Sequence, residues 1–135
     1  MNFPANKKIF NRNYDHEGYQ PIDVAQGMEN IKVLDSVPVT QGKKCEPGDQ
    51  VAINYKTFSL EGKKLEDSQL LKDGDPYVFQ MGNYLVPKCW EYTINTLHEG
   101  DKVKIKCPSY YGYGGNEKWS QFTNEKIPAF SDLIF

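Results

Sequence analysis

The side chains in this sequence that could build a binding site are mostly aromatic. Rings pack into an apolar, concave surface that removes a ligand from water, and tyrosine hydroxyls and an indole N–H add hydrogen-bonding groups. The aromatic residues that face a predicted core or suit a pocket wall are Tyr55, Tyr77, Phe79, Trp90, Tyr113 and Phe135. A tryptophan on the apolar face of a helix is usually a core residue, so Trp90 has two interpretations at this point.

Patterns typical of covalent, phosphate-binding or metal chemistry are absent from the sequence. It contains no GxSxG or HExxH motif. The glycine-rich run at residues 110–115 (YYGYGG) does not match GxGxxG and precedes no clear helix, which argues against a phosphate cradle. The two histidines, His16 and His98, lie far apart along the chain. We therefore expect neither a metal site nor a cofactor.

The three cysteines, Cys45, Cys89 and Cys107, are separated by long and unequal spacings. Their odd number and the lack of a CxxC pair argue against a disulfide scaffold and against a zinc site. Free cysteine is among the residue types most often buried. The sequence therefore predicts three buried or half-buried free thiols in a reducing compartment.

Composition excludes several classes of protein. The chain has 135 residues, of which 39% are apolar and 25% charged, and its formal net charge is -2. These values are typical of a globular domain and argue against a nucleic-acid partner bound through overall charge. The sequence has no run of about 20 apolar residues that would insert into a membrane, and no secretory h-region. The expected location is intracellular, in the cytoplasm, with an organelle or a cytoskeletal assembly as alternatives.

The elements that would position the aromatic residues are short strands and one helix. Period-two alternation predicts strands at residues 31–34, 50–57, 77–81 and 102–107, with a hairpin turn at residues 60–63. The strand at 102–107 (KVKIKC) alternates lysine with apolar residues, which is typical of a solvated antiparallel face.

One amphipathic helix stands out among the strands. Pro87 suits a helix start, Trp90, Ile94 and Leu97 form one apolar stripe, and Gly100 suits a helix end, which gives a helix of about three turns. The predicted fold class is α+β, with this helix lying across one face of the sheet.

Residues 1–30 differ from the rest of the chain. Isolated aromatic residues follow no steady period there, and prolines and glycines interrupt the segment. We predict an extended N-terminal arm, with one helical turn near residues 23–27, held either by the body of the domain or by a partner. The domain itself is expected at residues 31–135.

The order of several motifs resembles that of one family. The motifs are GDQV (48–51), EGKKLEDS (61–68), FQMG (79–82), EGDK (99–102), CPSYYGYG (107–114), IP (127–128) and LIF (133–135). Together they are similar to the FKBP-type peptidyl-prolyl cis–trans isomerase domain, over residues 31–135. The resemblance implies an antiparallel half-barrel sheet wrapped around one short helix. It also implies an enzyme that needs no cofactor and that isomerises X–Pro bonds in proline-containing peptide or protein segments.

The resemblance also implies a site. Trp90 would be the floor under a proline ring, and the Tyr113 hydroxyl would donate a hydrogen bond to a bound carbonyl. The residues assigned catalytic roles are Tyr55, Glu66, Trp90, Tyr113 and Phe135. The residues assigned to substrate binding are Leu65, Tyr77, Phe79, Val86, Pro87 and Ile127.

Three of these positions depart from the family pattern. Leu65 stands where the family usually has phenylalanine, and Glu66 where it usually has aspartate; Asp67 is the alternative if the alignment slips by one residue. Pro87 falls where the family offers a backbone N–H to a ligand carbonyl, and proline has none. We expect weakened macrolide binding and slower turnover. The rival hypothesis is a binding or scaffold subunit of a larger assembly with little or no activity.

Two further regions suggest contacts with a partner. The loop at residues 116–126 is longer than is usual for the family, and Trp119 and Phe122 in it either contact a partner or cap the pocket. The last strand of the family continues beyond the position of Phe135. Either this last strand is truncated in the sequence at hand, or another segment, the N-terminal arm or a partner strand, completes the sheet. A larger assembly is therefore expected to contact residues 1–30 and the 116–126 loop.

Overall fold

The computed structural model describes residues 1, 29–39, 42–70, 74–83, 85–120 and 124–135. Within these residues the chain forms nine strands and one α-helix, which we number in chain order. The elements are β1 (Lys32–Val37), β2 (Gln50–Ile53), β3 (Lys56–Ser59), β4 (Lys64–Asp67), β5 (Tyr77–Gln80), α1 (Lys88–Ile94), β6 (Lys102–Cys107), β7 (Lys118–Trp119), β8 (Lys126–Ile127) and β9 (Leu133–Ile134).

The main sheet has five antiparallel strands in the order β1-β6-β9-β3-β4, and β2-β5 and β7-β8 form two smaller sheets. Strand β6 confirms the predicted alternation, because its three lysines are exposed while Val103, Ile105 and Cys107 are buried. The hairpin between β3 and β4 turns at Gly62, whose φ of 91° suits glycine. The apolar core thus lies on one face of the main sheet, and α1 belongs to that core.

The strand predicted over residues 50–57 is divided in two. Strand β2 pairs with β5, whereas β3 pairs with β4 and β9. The change of partner occurs at Tyr55, whose backbone N–H donates to Ser68 Oγ and whose carbonyl accepts from the Ser68 N–H, both at 2.9 Å. Val51 and Ile53 are buried, and Tyr55 packs against the same core. The division places Tyr55 where the two sheets meet.

Helix α1 is shorter than the sequence predicts, since it ends at Ile94 and not near Gly100. Beyond it, Thr96 N–H and the Thr96 hydroxyl both donate to the Thr93 carbonyl, at 2.9 and 2.6 Å. A hydroxyl that hydrogen-bonds a nearby carbonyl competes with α-helical pairing. Leu97 is nevertheless buried, so the predicted apolar stripe is confirmed although its last turn is not α-helical.

The prediction of three free thiols is wrong. Cys89 and Cys107 form a disulfide, while Cys45 is buried and takes no part in it. The fold brings the start of α1 beside the end of β6, so that the two Cα atoms lie 6.1 Å apart, a separation that a disulfide can span. The two cysteines are 18 residues apart in sequence, and only the packing of the helix against the sheet brings them together.

Two predicted regions lie partly outside the described residues. Of the N-terminal arm at residues 1–30, only residues 1, 29 and 30 are described, and the predicted turn at 23–27 lies outside them. The expected loop at 116–126 includes a short antiparallel pairing of β7 with β8. Trp119 on β7 is 59% exposed, with the Lys126 ammonium 5.0 Å from its ring, while Phe122 lies outside the described residues.

Met1 pairs with the edge of β6 next to the end of the chain. Phe135 and Ile105 exchange two backbone hydrogen bonds of 2.8 and 3.0 Å. Val103 lies two residues before Ile105 on β6. The Met1 amino group donates to the Val103 carbonyl at 2.8 Å, and the Val103 N–H donates to the Met1 carbonyl at 3.0 Å. Because alternate residues of a strand point their N–H and C=O groups to the same side, Met1 occupies the β6 edge just beyond Phe135.

The described part of the chain holds neither a cluster of metal-binding side chains nor a helix that could span a membrane. No group of three or more His, Cys, Asp or Glu side chains in it is placed to hold a metal ion. Within the same residues, no helix is both long enough and apolar enough to cross a membrane.

Candidate functional site

Trp90 lies at the centre of a cluster of aromatic rings. The centroid of its ring is 4.6 Å from that of Tyr55, 5.4 Å from Phe135, 6.1 Å from Tyr77 and 6.2 Å from Phe79. Three of these contacts are edge-to-face, a geometry that the quadrupoles of the rings favour. Helix α1, the β2–β3 junction, strand β5 and the end of β9 each supply rings. The fold therefore brings together five of the six predicted aromatic residues, which we call the aromatic cluster.

The Trp90 indole is enclosed by its neighbours. Its side chain is 2% exposed, whereas Tyr77 at the outside of the cluster is 40% exposed. Within the described part of the chain, the buried Nε1 of Trp90 has no hydrogen-bond partner. Contact of a proline ring with this indole, as the resemblance implies, would therefore require at least one neighbouring side chain to move.

Hydrogen-bonded polar side chains lie beside the aromatic cluster. Glu66 on β4 accepts from Thr57 Oγ1 at 3.1 Å and from the Tyr113 hydroxyl at 3.2 Å. The Lys118 ammonium donates to Glu66 Oε2 at 3.1 Å and to the Tyr113 hydroxyl at 2.8 Å. The Tyr113 ring is 6.4 Å from that of Phe135, which joins this polar cluster of Thr57, Glu66, Tyr113 and Lys118 to the aromatic one.

Both tyrosine hydroxyls near Glu66 are held in the neutral form. Burial, and then the negative charge of Glu66, raise the pKa of Tyr113 far above its ordinary value. Burial is also the main cause that raises the pKa of Tyr55, followed by Glu66 and Tyr77. Each hydroxyl therefore has a proton to donate at neutral pH.

The remaining predicted site residues are in or next to the same apolar core. Leu65, Val86 and Ile127 are buried members of it. Leu65 and Ile127 also line a surface groove of about 430 Å³. Pro87 caps the start of α1, and its carbonyl accepts from the Trp90 N–H at 2.9 Å. Because Pro87 has no N–H, the chain cannot donate from this position to a ligand.

The geometry distinguishes the two neighbouring carboxylates. Glu66 reaches Tyr113, whereas Asp67 pairs with the Lys64 ammonium at 3.2 Å and accepts from the Gln69 N–H at 3.1 Å. Sequence reasoning did not include Lys118 in the site. It lies in a segment expected to be a loop, and no spacing in the sequence links it to Glu66.

Two surface grooves open beside these clusters. One, of about 540 Å³, runs along the polar cluster, and the other, of about 330 Å³, borders Tyr55 and Phe135. The lining of the first groove includes Leu85, Pro87, Lys88, Tyr110, Tyr113, Glu117 and Lys118.

Comparison with known sequences gives a family for this arrangement. Residues 41–135 match the family model described as FKBP-type peptidyl-prolyl cis-trans isomerase. The match covers every strand except β1, together with α1 and all the predicted site residues.

Several individual proteins are similar to this chain. FK506-binding protein 2 of Dictyostelium discoideum is 34% identical over 92 residues, which are 68% of this chain and 64% of that protein. Peptidyl-prolyl cis-trans isomerase FPR2 of Saccharomyces cerevisiae is 30% identical over 106 residues, or 78% of this chain and 74% of that protein. Peptidyl-prolyl cis-trans isomerase FKBP4 of Homo sapiens is 33% identical over 65% of this chain, which spans only 18% of that larger protein.

A solved structure supports the fold. The crystal structure of the three FKBP domains of wheat FKBP73 matches 77% of this chain and 41% of that one, with a TM-score of 0.64 and 17% sequence identity. The predicted α+β half-barrel around one short helix is thereby confirmed. With the family model, these similarities show that the chain belongs to the FKBP-type peptidyl-prolyl cis–trans isomerase family.

Proposed function

We propose that this chain is a peptidyl-prolyl cis–trans isomerase that acts on X–Pro bonds at the aromatic cluster. The observation that carries the proposal is the placement of the polar cluster directly beside those rings. Desolvating an amide disfavours its charge-separated resonance form, and this resonance creates the rotational barrier of about 18–20 kcal/mol. A site that binds the twisted amide better than either planar isomer lowers the barrier without a covalent step or a cofactor.

In this mechanism Tyr113 is the hydrogen-bond donor to a substrate carbonyl. Its hydroxyl carries one proton, which it donates to Glu66 Oε1 at 3.2 Å. Binding therefore requires the hydroxyl to exchange Glu66 for the substrate. Glu66 still accepts from Thr57 and Lys118 when that happens, so the exchange leaves no buried carboxylate oxygen without a donor.

The enclosed indole implies that binding includes a movement. The Tyr55 ring packs edge-to-face with that of Trp90, with 4.6 Å between the two centroids, and the tyrosine is only partly buried. Rotation of the Tyr55 side chain would open the indole face for a proline ring. Opening of this kind costs free energy, so we expect weaker substrate binding than in a site whose indole is already exposed.

The second candidate function is a scaffold subunit with little activity. Two observations favour it, namely the 2% exposure of Trp90 and the missing N–H at Pro87. Both reduce what the site offers a proline segment or a macrolide. In this alternative, residues 1–30 and the 116–126 loop, with Trp119 exposed, would contact a larger assembly.

An isomerisation assay with matched variants separates the two functions. The assay measures exchange of an Ala-Leu-Pro-Phe peptide by NMR, with the full chain and its Tyr113→Phe and Tyr110→Phe variants. Tyr110 lies three residues before Tyr113, in the short 3-10 helix at Ser109–Tyr111, and is 75% exposed. We expect Tyr113→Phe to lower kcat/KM about tenfold, which corresponds to about 1.4 kcal/mol, and Tyr110→Phe to leave it unchanged. No acceleration from the folded full chain would favour the scaffold function.

The intracellular, cytoplasmic location remains a prediction, and the disulfide offers a test of it. Disulfides persist mainly in oxidising compartments, whereas cytoplasmic thiols stay reduced. Rapid thiol trapping in the source cells would find Cys89 and Cys107 alkylated if the chain is cytoplasmic. A protected Cys89–Cys107 pair would instead place the chain in an oxidising compartment.

A further inference from the structure

The groove beside the polar cluster carries more positive than negative charge. It lies between the start of α1 and the segment that follows Tyr113, and the Lys88 and Lys118 side chains both line it. We call it the basic groove. Since Tyr113 and Pro87 line it as well, a chain segment that leaves the candidate site by this side passes both lysines.

The Lys88 charge is not cancelled by a carboxylate in the described part of the chain, whereas Lys118 forms an ion pair with Glu66. The Lys88 ammonium lies 5.7 Å from the centroid of the Tyr110 ring, and in the described part of the chain no carboxylate pairs with it. Lys118 uses two of its three N–H donors on Glu66 and Tyr113, which leaves the third for a ligand. Glu117 also lines the groove, but its carboxylate pairs with Lys126 at 3.3 Å.

The walls of the basic groove are apolar as well as charged. Leu85 is 82% exposed and Tyr110 is 75% exposed, both next to the lysines. An occupant of matching chemistry would place an acidic group near the ammonium groups and apolar atoms against these two side chains. A peptide strand with an acidic residue close to its proline has this pattern.

We propose, on the basis of the proposed function, that the preferred substrates are proline segments with a glutamate or aspartate immediately before the proline. The carboxylate would lie between Lys88 and Lys118 while the proline ring occupies the aromatic cluster. Ion pairs at an exposed site stabilise modestly, so the preference for Glu-Pro over Gln-Pro is expected to be about 2- to 5-fold in kcat/KM. Salt screens such pairs and weakens the preference.

The test compares four peptides, Ala-Xaa-Pro-Phe with Xaa as Glu, Gln, Leu or Lys, using the full chain. We expect a Glu/Gln ratio of kcat/KM of about 2 to 5 at low ionic strength, which approaches one in strong salt. Lys88→Gln should lower the Glu/Gln ratio. Lys88→Glu should bring this ratio below one and make Lys-Pro a better substrate than Glu-Pro. Lys32→Gln is the matched control, because it removes the same charge from the exposed edge strand β1 and should leave the ratio unchanged.

The outcomes separate this inference from the proposed function. Turnover of the Leu-Pro peptide with a Glu/Gln ratio of one would overturn the inference and leave the isomerase function standing. Without turnover of any peptide, the proposed function would be wrong, and titration of the same peptides by NMR would decide the inference. Tighter binding of Glu-Pro than of Gln-Pro, lost in Lys88→Gln, would support it, and equal binding would overturn it.

Discussion

Rings form one side of the candidate site, and hydrogen-bonded polar groups form the other. In the aromatic cluster, Trp90 is held by four ring contacts between 4.6 and 6.2 Å and is 2% exposed. In the polar cluster, Glu66, Tyr113 and Lys118 are joined by hydrogen bonds of 2.8 to 3.2 Å, and Lys118 remains 36% exposed.

The two sides consequently stabilise different properties. Burial of large rings contributes most to the free energy of folding, since it removes large apolar areas from water. Hydrogen bonds between side chains contribute less to net stability but fix the direction of donors and acceptors. We expect substitutions in the aromatic cluster to act mainly on unfolding, and substitutions in the polar cluster mainly on turnover.

The largest effect is expected from Trp90→Ala. Truncation of a buried tryptophan removes its packing and leaves a cavity, so the free energy of unfolding should fall by about 3–5 kcal/mol. Chemical denaturation measures the change. Trp119→Ala is the control, because this exposed tryptophan should alter stability by only about 0.5 kcal/mol. Equal effects of the two substitutions would contradict the enclosed position of Trp90.

The second-largest effect on stability is expected from reduction of the disulfide, whose Cys89 precedes Trp90 on α1. The Cys89–Cys107 bond closes a loop with a sequence separation of 18 residues. A cross-link that closes a loop of this length restricts the unfolded chain and raises the free energy of unfolding by about 3 kcal/mol. Reduction should therefore lower the free energy of unfolding by roughly that amount. The Cys89→Ala/Cys107→Ala double variant is the control, and reductant should not change its stability.

A smaller effect is expected from the ion pair of the polar cluster. The Glu66 side chain is 3% exposed, so its pairing with Lys118 is poorly screened by water. A double-mutant cycle with Glu66→Gln and Lys118→Met should give a coupling of about 1–2 kcal/mol. The same cycle on Lys63 and Glu125, which are 56% and 49% exposed, should give less than about 1 kcal/mol. Equal couplings would remove the distinction between the two pairs.

The smallest effect is a pH dependence at the alkaline end. Because burial raises the pKa of Tyr113 in the folded state, the folded chain holds this proton more tightly than the unfolded chain. The stability that results is fully present below pH of about 10 and is lost as the pH rises above that value. Tyr113→Phe should therefore flatten the decline of stability above about pH 10. An unchanged decline in the variant, relative to Tyr110→Phe, would contradict the burial of the Tyr113 hydroxyl.

The aromatic cluster could be largely predicted from the sequence, because its members lie on periodic elements. Strand alternation places Tyr55, Tyr77 and Phe79 next to a core, and the helix stripe places Trp90 there. Sequence patterns could not show that Tyr55 would pack against the Trp90 indole. That contact depends on the change of strand partner at Tyr55, which is a property of the three-dimensional arrangement.

The polar cluster was only half predictable, and the disulfide was not predictable at all. The family resemblance named Glu66 and Tyr113, but Lys118 lies on a two-residue strand that has no period to detect. The pairing of Cys89 with Cys107 follows from the packing of α1 against β6. Contacts of this kind join residues distant in sequence, so no local pattern records them.

The most direct test follows the two indole N–H signals during catalysis. The chain has two tryptophans, Trp90 and Trp119, so one spectrum contains the site and an internal control. Titration with a Leu-Pro peptide should shift the Trp90 signal saturably, with the same midpoint as the acceleration of isomerisation, while the Trp119 signal stays in place. Acceleration of isomerisation with an unchanged Trp90 signal would contradict the assignment of the aromatic cluster as the site.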